Sequence, residues 1–152
     1  MVSFIGDMAA ITQAIHYQKA IYLVPLRSLA EEKHQHFKKL YSGKDYPIKI
    51  LISSRDHRED DYKIIAGEYE IAVMVYEKFN YFLWKYPALL ENISLIIVDE
   101  LQMIHDPERG PLKGNMEKRN SLKSKKIKTT LMKIASKIPS PILCKIWKKQ
   151  NK

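Results

Sequence analysis

The sequence predicts an α/β fold in which a parallel sheet is flanked by helices. Three observations carry that reading. Four short apolar runs, at 19–25, 48–53, 69–76 and 93–99, alternate with stretches of helical spacing. The runs are apolar nearly throughout instead of alternating with polar residues, as strands covered on both faces must be. Polar residues gather where each run ends, at 25–27, 53–56, 76–78 and 99–102. Ligands of such sheets sit outside the carboxyl ends of the strands, so four polar strand ends together are a stronger signal than any one of them.

Taken in order, Phe4, Ile5, Met8, Ala9, Ile11 and Ile15 recur at helical spacing and predict an amphipathic helix over 3–17. The run "KAIYLVP" is a short buried strand ended by Pro25. Leu26, Leu29, Ala30, Phe37, Leu40 and Tyr41 then return to helical spacing, and Gly43 closes that helix. "IKILIS" is the second strand, and the charged residues from 55 to 63 form a polar connection or a short helix. "YEIAVMVY" is the third strand, "EKFNYFLWKYPALL" a helix broken near Pro87, and "ISLIIVD" the fourth strand. Tyr81, Phe82 and Trp84 fall within that last helix and are expected to pack there instead of stacking on bases.

The net charge of +9 is unevenly spread. Residues 113–152 hold 13 Lys and Arg against one acid, Glu117, which leaves 13 bases and 16 acids for residues 1–112. A basic composition that would suggest nucleic acid therefore describes only the last stretch of chain. Two regions follow: 1–111 with ordered patterning, and 112–152, a basic tail expected to be poorly ordered or loosely helical. Ile127, Leu131 and Ile134 fit one basic amphipathic helix there, and Pro139 and Pro141 interrupt anything longer.

Composition also excludes several classes. The single Cys144 rules out an intrachain disulfide framework and any multi-cysteine metal site. No apolar run approaches the roughly 20 residues needed to span a bilayer, so no membrane partner is expected. The start of the chain lacks the basic residues and cleavage site of a signal peptide, and the expected location is the cytoplasm. The five histidines are scattered; His34 and His36, two apart on a helix, point in different directions.

The most informative stretch is "SLIIVDELQMIHDPERG", in which an apolar run delivers two adjacent acids, Asp99 and Glu100. Two acids alone suit a solvated turn. With a buried strand in front, the first can hold Mg²⁺ beside the phosphates of a nucleotide, and the second can activate the attacking water.

Here a resemblance becomes specific. "VDELQ" resembles motif II of superfamily 2 helicases, in the DExH branch that includes archaeal repair helicases and RNA-processing helicases. "LVPLRSLAEEK" resembles their motif Ia. "VYEKFNYFL" resembles the motif in which a Glu-Lys pair opens a helix after a strand, and "HDPERGP" the segment after motif II. "SSRDHRED" lies where the family has its motif Ib region, with a weaker match. The resemblance spans residues 3–111 in order, and it implies an incomplete RecA-like (P-loop NTPase) domain. By position it implies that Asp99 binds Mg²⁺, that Glu100 activates water, and that Gln102, where many relatives have His, links nucleotide state to the motor. Pro25, Leu26, Arg27 and Ser28 would line the nucleic-acid path, and Tyr76, Glu77 and Lys78 would contact the same strand of DNA or RNA. Arg27 as a solvated helix-start residue and Glu77 as an N-terminal helix acid remain the plainer alternatives.

The family's phosphate-binding loop does not appear. Ser3 falls where its Ser or Thr would be, but Val2 occupies the lysine position and Met1 the glycine position. ATP and Mg²⁺ are the cofactors of complete members; a chain without that loop is not expected to hold them well. The expectation is therefore a fragment of an ATP-dependent helicase motor that lacks the phosphate-binding loop and second motor domain and is inactive alone; a second motor domain in another chain is one candidate partner. The alternative is a non-catalytic module that binds nucleic acid or a protein partner.

Overall fold

The computed structural model describes residues 2–41, 43, 47–99, 129 and 143–146. Helix α1 (Val2–Ile15) is followed by β1 (Ala20–Val24), α2 (Arg27–Tyr41), β2 (Ile50–Ser53), α3 (Asp61–Ala66), β3 (Ile71–Val75) and α4 (Tyr76–Lys85). A 3-10 turn (Pro87–Asn92), β4 (Leu95–Val98) and β5 (Leu143–Ile146) complete the order. All pairings are parallel, in the order β2-β3-β1-β4-β5. The described chain is thus an α/β domain with a wholly parallel sheet, as expected.

Strand side chains alternate between two apolar layers, which is why the strands show no polar face. On one face Tyr22, Val24, Val73 and Ile97 pack with Ala10, Ile11 and Ala14 of α1 and with Ala30 and Phe37 of α2. On the other, Leu23, Met74, Ile96 and Val98 pack with Ile64 of α3 and with Phe79, Phe82 and Leu83 of α4. Gly67 closes α3 in the left-handed region (φ 76°), and its N–H donates to the Ile64 carbonyl.

Several expectations are corrected. The spacing of α1 identifies a helix but not its buried side: Phe4, Ile5, Met8 and Ile15 are exposed, and the small residues Ala10 and Ala14 face the sheet with Ile11 and Asp7. Close approach explains the reversal, because a Cβ on Gly6 would sit 3.0 Å from the Tyr22 hydroxyl. Phe82 packs in the core as expected, whereas Tyr81 and Trp84 lie open on the outside of α4. Within the basic segment, Leu143–Ile146 pairs with Leu95–Val98 as a fifth strand that no periodicity announced. The boundary expected at 111 falls outside the described residues.

Candidate nucleotide and nucleic-acid sites at the strand ends

Register brings the sites together. Ser53 pairs with Met74, Met74 with Leu23, and Leu23 with Val98, so the four strands end within one residue of a common line. The next residues of each strand therefore form a single edge of the sheet, carrying Ser54, Tyr76, Pro25 and Asp99.

At the β1–β4 part of this edge, Asp99 is held from both faces. Its N–H donates to the Leu23 carbonyl at 2.9 Å, which extends the ladder by one residue. By strand alternation its side chain turns toward the α1–α2 face, where the buried Tyr22 hydroxyl donates to Oδ2 at 3.0 Å. From the other face the Tyr76 hydroxyl donates to the Asp99 carbonyl. Behind Tyr22, Lys33 of α2 lies 5.1 Å from the ring centre and donates to Asp7 of α1 at 2.9 and 3.3 Å. The Lys33 and Asp7 side chains are only 13% and 10% exposed, so this is a largely buried ion pair tying both helices to the strand that positions Asp99.

A carboxylate so placed fits the chemistry of Mg²⁺, which takes one or two protein carboxylates, keeps water and finds its other ligands on phosphates. No group of three or more metal-ligating side chains occurs among the described residues.

The β2–β3 part is built differently. The stretch "SSRDHRED" folds around Ser54, which is 2% exposed and whose Oγ accepts the N–H groups of Asp56 and His57, each at 3.3 Å. That turn points successive charges in different directions. Asp56 reaches back to Arg27 at 2.7 Å. Asp61, the first residue of α3, accepts Ser53 Oγ at 2.5 Å and Lys78 Nζ at 2.6 Å. His57 meets Glu31 of α2 at 2.7 Å and Glu59 at 3.2 Å. Its pKa is raised above the usual 6.5, chiefly by the Glu59 hydrogen bond and then by Glu31. His34, by contrast, sits on the buried face of α2 and its pKa is lowered, mainly by desolvation.

Arg55 and Arg58 have no carboxylate partner among the described residues. Both are exposed and line a cleft of about 440 Å³ with Asp61, Val75, Glu77, Lys78 and Tyr81. Arg55 and Arg58, with the half-exposed Tyr81, suit a nucleic-acid backbone and a base face, while Lys78 is already paired with Asp61 and Glu77 adds a negative charge to the lining.

The residues singled out in the sequence distribute as follows. Leu26, Arg27 and Ser28 are exposed and Pro25 half-buried, at the start of α2. Glu77 is exposed and Lys78 half-buried, but Tyr76 is 1% exposed, so its ring lies in the core beneath the edge instead of on the surface. Ser3 lies in the first turn of α1, and its side chain is not among those described. Glu100 and Gln102 lie outside the described residues. Sequence reasoning passed over Tyr22, Lys33, Asp7, Arg55, Arg58 and Asp61. The dense charge of 55–61 was the one available signal, and no local pattern marks the other three.

The described residues thus form a parallel α/β sheet with an acid at the end of a central strand and a charged cleft beside it at the same edge. The DEAD/DEAH box helicase family matches residues 4–134, and the chain belongs to that family. Relatives include the ATP-dependent DNA helicase Hel308 of Pyrobaculum calidifontis, 34% identical over 110 residues that make up 72% of this chain and 15% of that protein. The Hel308 helicases of Aeropyrum pernix and Methanocaldococcus jannaschii are 39% and 31% identical over 62% and 71% of this chain. The chain spans 12% and 9% of those two proteins' length. The domain is thus a partial N-terminal helicase domain of an ATP-dependent motor family. No helix among the described residues is long and apolar enough to cross a membrane.

Proposed function

We propose that this chain forms the part of a DNA-helicase motor that carries the Mg²⁺-binding strand end and one wall of the single-strand path. The observation that carries the reading is the common line of strand ends, which sets Asp99 and the Arg55–Arg58–Lys78 cleft on one edge of the sheet. DNA is the preferred strand because the similar proteins are named as DNA helicases. In this reading Asp99 would hold Mg²⁺ and Glu100 would orient the attacking water. When bound, the ion would neutralise charge developing on the phosphates. The chain's own contribution is to hold the Asp99 carboxylate through the Tyr22 hydroxyl and its backbone carbonyl through the Tyr76 hydroxyl. Arg27, with Pro25, Leu26 and Ser28, receives the strand at the start of α2, while Glu77 and Lys78 border the cleft.

No G-x-x-x-x-G-K-[S/T] occurs in the 152 residues. Positioning and charge neutralisation supply most of phosphoryl-transfer catalysis, so these 152 residues by themselves are expected to hydrolyse ATP at background rate. Calorimetric titration of Mg²⁺–ATP and a phosphate-release assay test this together. Measurable turnover abolished by Glu100→Gln would overturn the expected inactivity and keep the assigned roles. A non-catalytic nucleic-acid-binding module is the second reading, favoured by the exposed Arg55 and Arg58. Strand binding that neither Mg²⁺ nor ATP alters, together with no nucleotide binding, would select it.

A further inference from the structure

The cations at the β2–β3 edge are not equally available. Arg27 and Lys78 each meet a carboxylate from the same short segment, at 2.7 Å from Asp56 and 2.6 Å from Asp61. Their surroundings differ. The Arg27 and Asp56 side chains are 56% and 62% exposed, whereas those of Lys78 and Asp61 are 14% and 22% exposed, and Asp61 is also held by Ser53. An exposed pair is worth at most about 1 kcal/mol and exchanges partners readily; a largely buried pair cannot lose one member without stranding the other.

We infer that Asp56 is an intramolecular stand-in for a backbone phosphate: it occupies Arg27 until a single strand displaces it, while the Lys78–Asp61 pair stays closed as a brace between α3 and α4. The inference rests on the nucleic-acid-facing role proposed above and specifies how that surface is tuned. Both carboxylates come from the segment that also supplies Arg55 and Arg58 to the cleft, so a strand reaching those arginines approaches Asp56 with like charge. Repulsion then weakens the Arg27–Asp56 contact as the phosphate arrives. Lys78, being braced, contributes to the potential of the cleft without leaving its partner.

The test is fluorescence titration of a labelled oligothymidylate with the full chain at two salt concentrations. Asp56→Asn is compared with Glu68→Gln, a charge-matched change of an exposed acid that pairs weakly with Lys49, and with Arg27→Ala/Asp56→Asn. Asp56→Asn is expected to tighten binding about two- to fivefold beyond Glu68→Gln, the factor set by releasing one exposed ion pair. It is also expected to steepen the salt dependence by about 0.7 in log–log slope, one further single-strand phosphate being neutralised. Both gains should vanish in the double variant. Equal effects of Asp56→Asn and Glu68→Gln, or a gain that survives without Arg27, would overturn the inference and leave the binding surface standing. No binding by the unaltered chain would overturn the nucleic-acid reading itself, and this inference with it. Circular dichroism of each variant keeps unfolding from imitating either result.

Discussion

The two halves of the strand edge solve opposite problems. At β1–β4, Asp99 is held by hydroxyls of two buried tyrosines, and Lys33, which lies over the Tyr22 ring, is paired with Asp7 below the surface. At β2–β3, apart from the largely buried Lys78–Asp61 brace, the charges stand in the open and meet in exposed ion pairs. On the reading proposed above, Asp99 as a metal-holding group gains from rigidity, because its oxygens must be in place before the phosphates arrive. On the same reading, a surface that follows a moving strand gains from contacts that exchange cheaply. The proposed roles thus match the burial around Asp99 at one half of the edge and the exposure of most charges at the other.

That comparison sets the order of expected effects. Asp7→Ala leaves the largely buried Lys33 without its carboxylate and should cost about 3–5 kcal/mol, read from the urea midpoint. A loss as small as that of an exposed pair would erase the contrast between the halves. Tyr22→Phe removes only the hydroxyl that donates to Asp99 and should cost about 1.5–3 kcal/mol, the range for a hydrogen bond to a charged group. An unchanged midpoint would detach Tyr22 from Asp99. Lys78→Met opens the α3–α4 brace and should cost roughly 1–3 kcal/mol. Arg27→Ala should cost only about 0.2–1 kcal/mol of stability while weakening strand binding. A stability loss as large as that of Lys78→Met would place the two pairs in one class.

The smallest effect concerns pH. His57 has a raised pKa in the fold. Its pairing with Glu59 and Glu31 therefore adds stability that is fully present below about 6.5, the ordinary histidine value, and fades as pH rises through the raised value. His57→Gln should remove that increment, so the two proteins should differ at mildly acidic pH and converge above neutrality. His34 works in the opposite sense: its lowered pKa makes the fold lose stability as pH falls and the buried ring must take a proton. His34→Gln should blunt that loss in the same denaturation series.

Particular residues show what a one-dimensional reading reaches. The strands were legible because their burial on both faces removes polar positions, and Asp99 stood out because a carboxylate ends one of them. Arg27 and Lys78 stood out through family motifs, yet the sequence does not say that each already faces an acid. Tyr76 belonged to the right motif, and its depth under the edge depends on how α4 starts directly from β3. The face of α1 was misread because the alanines that permit close approach carry less hydrophobic signal than the larger residues left outside.

By itself the sequence determined the alternation of helix and strand, the parallel character of the sheet and the acid at the end of its fourth strand. These follow from local periodicity and from the two-sided burial of each strand. Only the tertiary structure decided that Tyr22 and Tyr76 converge on Asp99 from opposite faces, that Asp56 and Asp61 occupy Arg27 and Lys78, and that Leu143–Ile146 extends the sheet. The physical reason is separation along the chain. Tyr22 and Asp99 are 77 residues apart, and a hydrogen bond at that distance leaves no periodicity in the sequence, since it is created by the register of strands that meet only in the folded sheet.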